Sequence, residues 1–222
     1  VTLANVPPLY PILDAAFLPA GESRAAKLTE LVLSLAEAGV GILQYRNKQG
    51  SDADILRDTE VMRAAAPPGL KLILNDYVDL VAEAGFDGVH LGQEDMPSHE
   101  ARALLGPDMM IGISTHNEAQ LRTATREPVD YIAVGPVFAT TSKENPDPVV
   151  GVDGVRLARR LTDKPIVAIG GITLANAADV WGAGADSVAV ISAIFAATAS
   201  PAQAAAEFLD LYRKQADPRV SG

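Results

Sequence analysis

Three segments of the chain share one rhythm: E-A-G-V-G-I-L over 37–43, E-A-G-F-D-G-V-H-L over 83–91, and G-A-G-A-D-S-V-A-V over 182–190. In each, a helical stretch stops at Ala-Gly and a short apolar run follows at once. Glycine after a helix is a common stop signal, because it enters the left-handed region without steric cost. A short apolar run without polar alternation reads as a strand buried on both faces, the habit of parallel sheets covered by helices. Repeated along a chain, this unit restricts the fold to the α/β classes.

The remaining punctuation continues the alternation. Strands are expected at 9–13, 41–45, 71–74, 88–91, 109–113, 130–134, 165–169 and 186–191. Helices are expected at 24–38, 51–65, 78–84, 98–105, 117–126, 151–161, 174–181 and 201–215. Ser51 is placed as an N-cap, and Pro67-Pro68 closes the helix that it opens. With 222 residues, the pattern suits one domain over 1–222, a (β/α)8 TIM barrel, ahead of an open doubly wound sheet. The tail from about 216 reads as disordered. In a barrel, polar residues following the strands converge on one rim.

Composition removes several function classes. With no cysteine there is no disulfide, thiolate metal site or cysteine nucleophile. A net charge of −10 argues against a nucleic-acid partner. No apolar run approaches the ~20 residues that span a bilayer, and residues 1–8 lack the charged and apolar regions of a signal peptide. A cytoplasmic setting is expected, although an absence of cysteine fits either compartment. Oligomeric state is not legible.

Polar residues are densest after the third and fourth strands, within 72–95. The run 71–74 ends in Asn75 and Asp76, and the run 88–91 leads into Gln93, Glu94 and Asp95. Two aspartates at neighbouring strand ends suit Mg²⁺, which needs only one or two carboxylates beside waters and substrate phosphates. Taken alone, Asp76 reads first as the N-cap of a helix starting at Tyr77. Gln44, Arg46 and Lys48 alternate along an extended segment and so share one side. A guanidinium fork and a point charge there suit a diphosphate, or a solvated basic loop.

Gly170-Gly171 with Thr173, then Ile191-Ser192, follow the seventh and eighth strands, where barrels commonly seat a phosphate on backbone N–H groups. Tight turn packing also accounts for a double glycine. The segment 138–150 is long, polar and proline-bearing; its Thr140, Thr141, Ser142 and Lys143 either close over a ligand or face solvent. Ser114 belongs to the same rim. His90, inside a strand, reads as a barrel-lining or core histidine, and His116 as an acid–base group or a helix cap. No nucleophile–base pair stands out. The residues alone describe two anion sites on one rim, one of them metal-assisted, as in an enzyme joining or cleaving phosphorylated small molecules.

The motifs also resemble a known family. Q-Y-R-N-K, L-N-D, G-V-H-L-G-Q-E-D, G-I-S-T-H-N, Y-I-A-V-G-P-V-F-A-T-T-S-K, V-A-I-G-G-I-T and V-A-V-I-S-A-I-F, between residues 41 and 195, are similar in kind and order to thiamine-phosphate synthases. The resemblance implies a (β/α)8 barrel that condenses the diphosphate of 4-amino-5-hydroxymethyl-2-methylpyrimidine with a thiazole phosphate. Pyrophosphate leaves, CO₂ is lost when the thiazole is carboxylated, and the substitution is dissociative. It further implies that Gln44, Tyr45, Arg46, Asn47, Lys48, Asn75, Ser114 and Lys143 bind the pyrimidine diphosphate. Asp76 and Asp95 would hold Mg²⁺, and Thr140, Thr141, Ser142, Gly171, Ile191 and Ser192 would bind the thiazole phosphate. Arg46, Lys48, Ser114 and Lys143 would be the catalytic residues.

Two stretches depart from the family pattern: A-T-T-S-K in place of P-T-x-T-K, and the opening L-Y-P-I-L-D in place of L-Y-x-I-T-D. Two rivals share the scaffold. A related thiazole tautomerase has the S-x-H segment but lacks the paired metal aspartates. A non-catalytic sensor of thiamine phosphates would have lost the diphosphate or metal residues, and this chain keeps them.

Overall fold

The computed structural model describes residues 6–140 and 147–216. Its strands are β1 (Leu9–Asp14), β2 (Ile42–Arg46), β3 (Lys71–Asn75), β4 (Gly88–Leu91), β5 (Met110–Thr115), β6 (Tyr131–Val134), β7 (Ile166–Ile169) and β8 (Ser187–Val190). The helices are α1 (Ser23–Glu37), α2 (Asp52–Ala65), α3 (Val78–Ala84), α4 (Ser98–Leu105), α5 (Glu118–Ala124), α6 (Gly151–Leu161), α7 (Ala177–Gly182), α8 (Ser192–Phe195) and α9 (Pro201–Ala216). Neighbouring strands pair in parallel in sequence order, and β8 closes on β1 with Tyr10 opposite Ala189. The expected (β/α)8 barrel is the observed fold.

The repeated Ala-Gly works as a helix stop. Gly39, Gly85 and Gly184 all take positive φ, at 96°, 64° and 105°, where a side chain would be strained. Ser51 caps α2 in a capping box with Asp54. Several elements differ from expectation by a residue or more, and three of the differences bear on the rim. β5 runs on through Thr115, so Ser114 lies inside the strand. α7 begins at Ala177, because the Asn176 side chain accepts from Thr173 N–H and holds a turn before it. The four-residue α8 was not anticipated.

Strand alternation sorts the side chains into two layers. Leu43, Leu72, Leu74, Val89, Ile132 and Val188 face the helices and pack with Leu28, Leu31, Val32 and Leu35 of α1 and the equivalent stripes of the other helices. Ile12, Ile42, Ile73, Met110, Tyr131, Val167 and Ala189 fill the barrel itself. Fully buried aliphatic side chains such as Leu35 each contribute roughly 1.5–3 kcal/mol.

One clamp recurs at the N-terminal ends of the strands. Asp87, Asp130 and Asp186, just before β4, β6 and β8, accept backbone N–H groups from Leu72, Ile111 and Ile166 of the preceding strands at 2.9, 2.7 and 2.7 Å. Each carboxylate also pairs with an arginine, from α2 (Arg63), α4 (Arg102) and α6 (Arg159), at 3.3, 2.6 and 3.0 Å. These aspartates fasten β4, β6 and β8 each to the unit before it.

Candidate active site

The opposite rim gathers different chemistry. A cleft of about 1210 Å³ opens on its β1–β2 side, walled by Asp14, Phe17, Arg24, Arg46, Lys48, Asp58 and Ile191; Asn75, Asp76, Asp95 and Ser114 lie outside its lining. Gln44 and Arg46 point inward from β2: Gln44 is buried and donates to Tyr10 Oη at 3.1 Å, and Arg46 pairs with Asp14 at the end of β1. Lys48, two residues past the strand, reaches across to pair with Asp76. Asn75 is buried on β3, and its side-chain amide makes no hydrogen bond among the described residues. Its amide atoms are not sealed from solvent, since the one buried side-chain polar atom without a partner among the described residues is Ser187 Oγ, so the amide is open to water or a ligand at the rim.

Asp76 is not a helix cap. α3 starts later, with Tyr77 at the cap position and no side-chain capping bond. Asp76 instead holds φ at 70°, and its N–H donates to the carbonyl of His90 at 2.8 Å. Only a few non-glycine residues adopt this region, with aspartate among the tolerant ones. The turn delivers the carboxylate to Asp95, which is itself anchored by Gly92 N–H at 2.7 Å. Burial pushes Asp76 up to about pH 6; the Lys48 ammonium opposes this, and the neighbouring Asp95 carboxylate adds to it. Two crowded carboxyls need either a shared proton or a cation. As hard oxygen donors they fit a divalent metal ion whose shell is completed by water and phosphate. Among the described residues, no group of three or more His, Cys, Asp or Glu forms a larger metal cluster.

The side chains of two of the five residues of Q-Y-R-N-K, Tyr45 and Asn47, are engaged within the protein. Alternation turns Tyr45 outward, where its hydroxyl donates to Asp58, a carboxylate also held by Arg24 at 2.7 Å. Asn47 folds back, accepting from Gly50 N–H at 2.8 Å and donating to Tyr45 Oη at 3.2 Å. Together they brace the β2–α2 turn that presents Lys48.

On the far side of the rim, packing accounts for the double glycine. A Cβ on Gly170 would lie 2.5 Å from Pro136 Cβ, and one on Gly171 would lie 2.5 Å from the Ala139 carbonyl. Val137 and Phe138 N–H groups bond to the Ile169 and Gly170 carbonyls at 2.8 and 2.9 Å. The β6 loop, with Thr140 at its edge, is thereby docked on the end of β7. Ile191 caps α8 without a side-chain bond, and Ser192 is exposed at the helix start, whose first N–H groups lack intrahelical partners. Thr141, Ser142 and Lys143 lie outside the described residues, as does the tail beyond 216.

The histidines separate. His90 is buried, bonded through Nδ1 to Tyr131 Oη at 2.9 Å and through Nε2 to Ser114 Oγ at 2.8 Å. His116 is no helix cap, since the Asn117 side chain fills that place. Its Nδ1–H donates to the Gly135 carbonyl at 2.7 Å.

A family model described as thiamine monophosphate synthase matches residues 9–194. The chain belongs to the thiamine monophosphate synthase family. Among curated relatives, the thiamine-phosphate synthase of Koribacter versatilis is 51% identical over 93% of this chain and 96% of its own. That of Chloroflexus aurantiacus is 42% identical over 85% of each. Among solved structures, thiamine phosphate pyrophosphorylase from Pyrococcus furiosus superposes with a TM-score of 0.79 at 28% identity, covering 95% of this chain and 97% of that one.

Within this thiamine monophosphate synthase barrel, the residue pattern did not single out Tyr10, Asp14 or Tyr131 as rim or interior partners. Asp14 was detectable as an acidic residue ending the first strand, and Gly112 inside β5 was a sign of a close approach. No helix among the described residues is long and apolar enough to cross a membrane.

Proposed function

We propose that this chain, a thiamine-phosphate synthase by family and hence a transferase, joins a pyrimidine diphosphate to a thiazole phosphate on the one rim and releases pyrophosphate. The observation that carries the reading is the meeting of Asp76, Asp95 and Lys48 beside Arg46. Gln44, Arg46, Lys48, Asn75 and Ser114 bind the pyrimidine diphosphate, joined by Lys143 from the loop. Thr140, Thr141, Ser142, Gly171, Ile191 and Ser192 take the thiazole phosphate, chiefly through backbone N–H groups and hydroxyls. Asp76 and Asp95 hold Mg²⁺, which when bound neutralises charge developing on the departing diphosphate.

Arg46 and Lys48 are each held by a carboxylate before substrate arrives, so they are oriented at little further entropic cost. As the C–O bond to diphosphate breaks, they and Lys143 stabilise the leaving group, and the thiazole nitrogen attacks the pyrimidine methylene. A dissociative path needs no protein nucleophile, in keeping with the lack of a nucleophile–base pair in the sequence. The proposed setting is the cytoplasm, with 1–222 acting as one barrel domain.

The test combines purified protein, Mg²⁺ and both substrates, with chromatographic detection of thiamine phosphate. Magnesium-dependent product is expected. Absence of product, with thiazole tautomerase activity present, overturns the reading.

A further inference from the structure

A continuous hydrogen-bonded chain crosses the barrel interior. Gln44 Nε2 donates to Tyr10 Oη at 3.1 Å, and Tyr10 Oη lies 2.9 Å from Tyr131 Oη. Tyr131 Oη lies 2.9 Å from His90 Nδ1, and His90 Nε2 lies 2.8 Å from Ser114 Oγ. Five strands contribute, in the order β2, β1, β6, β4, β5. Room for it is made by Gly112, where a Cβ would sit 2.0 Å from the Tyr131 ring. The His90 ring stacks on Tyr131 with centroids 5.6 Å apart, which fixes its plane.

Donor counting sets the direction of the chain. An amide NH₂ only donates, so the Tyr10 oxygen accepts from Gln44 and its single proton goes on to Tyr131. Tyr131 in turn gives its proton to His90 Nδ1, which must be bare. A neutral imidazole then carries its proton on Nε2 and donates it to Ser114 Oγ. Having accepted, Ser114 keeps its own proton for a partner at the rim. Burial favours the neutral ring, holding His90 down at about pH 4.

We propose that Tyr10, Tyr131 and His90 are positioning residues that orient Ser114 as a hydrogen-bond donor toward an acceptor atom of the pyrimidine diphosphate. This rests on the reading of Ser114 given under Proposed function. Members that touch no substrate still decide whether Ser114 offers a proton or a lone pair. A reversed chain would turn the Ser114 proton inward to His90 and present only oxygen lone pairs to the ligand.

The test has a spectroscopic arm and a kinetic arm. In ¹⁵N NMR of the free protein, with the His90 signals assigned by their loss in His90→Gln, the Nε2–H tautomer is expected. Tyr10→Phe keeps the ring and removes one oxygen three hydrogen bonds from Ser114. The Tyr131 hydroxyl then has only His90 Nδ1 to donate to, so the Nε2–H form should persist; Tyr131→Phe removes the donor to Nδ1 and should let the Nδ1–H form appear. Tyr131→Phe should lower kcat/KM for the pyrimidine diphosphate about 5- to 10-fold, the scale of one neutral hydrogen bond. That loss should vanish when Ser114 is already alanine. A purely structural role would lower stability, leave the tautomer alone and add to the Ser114→Ala loss. An Nδ1–H tautomer in the wild type, an unchanged tautomer in Tyr131→Phe, or additive losses would each overturn the proposal. The NMR arm needs no substrate, so it fails or succeeds separately from the assay for thiamine phosphate.

Discussion

Aspartates stand at both ends of this barrel and do opposite work. At the N-terminal ends, Asp87, Asp130 and Asp186 each accept a backbone N–H and an arginine, so every carboxylate is matched by donors from its own neighbourhood. At the C-terminal ends, Asp76 and Asp95 are brought against each other, with one lysine between them and the solvent. The first arrangement is complete as folded. The second needs a proton or a cation to be complete, and that need makes it a binding site. Residue type alone does not separate the two sets; the end of the strand does.

The largest expected effect breaks the rim pair. Asp76→Ala should cut magnesium-dependent turnover about 1,000-fold, ~4 kcal/mol of transition-state stabilisation, while circular dichroism and thermal unfolding stay close to wild type. Turnover near wild type would remove the metal role. The next effect concerns His90, which lies between the two ends. Its folded pKa of about 4 is below the ordinary value of 6.5, so the unfolded chain takes up the proton first as pH falls. The stability it contributes is present above pH 6.5 and is lost down to about pH 4, a loss of about 3 kcal/mol. Asp76 runs the other way, since the folded state takes up its proton first between about pH 6 and 4. Urea unfolding of wild type and His90→Gln at pH 7 and 4.5 isolates the histidine, because both chains share Asp76. Equal pH slopes would show that His90 is charged in the folded state.

The third effect tests the other end. Asp130→Ala leaves Ile111 N–H without its acceptor and Arg102 without its carboxylate, and should cost about 2 kcal/mol in urea unfolding. At saturating substrate, kcat should stay within about twofold of wild type. A large drop in kcat with no loss of stability would erase the distinction between the two ends.

Alternation of helices and strands was legible because glycine stops and apolar runs are local signals, and closure into a barrel gave the rim without further information. Asp76 and Asp95 were legible as strand-end residues. What drew them together was not: the 70° φ of Asp76 is set by its bond to the His90 carbonyl, a contact between two strands. Tyr10 and Tyr131 read as ordinary core residues, because in a strand apolar on both faces periodicity does not say which face is the interior. That the side chains of Tyr45 and Asn47 turn away from those of Gln44 and Arg46 was hidden for the same reason, since a motif groups five neighbours while a strand sends alternate ones to opposite sides. The double glycine needed the β6 loop in contact before packing could explain it.

The smallest effect measures the incompleteness of the rim directly. A cation binding between Asp76 and Asp95 requires Asp76 deprotonated, and Asp76 holds its proton up to about pH 6. Proton and metal therefore compete for one carboxyl. At pH 7 the carboxylate predominates and costs the metal almost nothing; at pH 5 most molecules carry the proton, and apparent Mg²⁺ affinity should be about tenfold weaker. Calorimetric titration of the free protein with Mg²⁺ in two buffers of different ionisation enthalpy should register proton release that grows as pH falls from 7 to 5. Asp130, already matched by its backbone donor and arginine, offers no such competition, so Asp130→Ala should leave the pH dependence of Mg²⁺ binding unchanged. Affinity independent of pH across this range would mean that the carboxylates at the rim are as fully satisfied as those at the other end, and the contrast between them would fall.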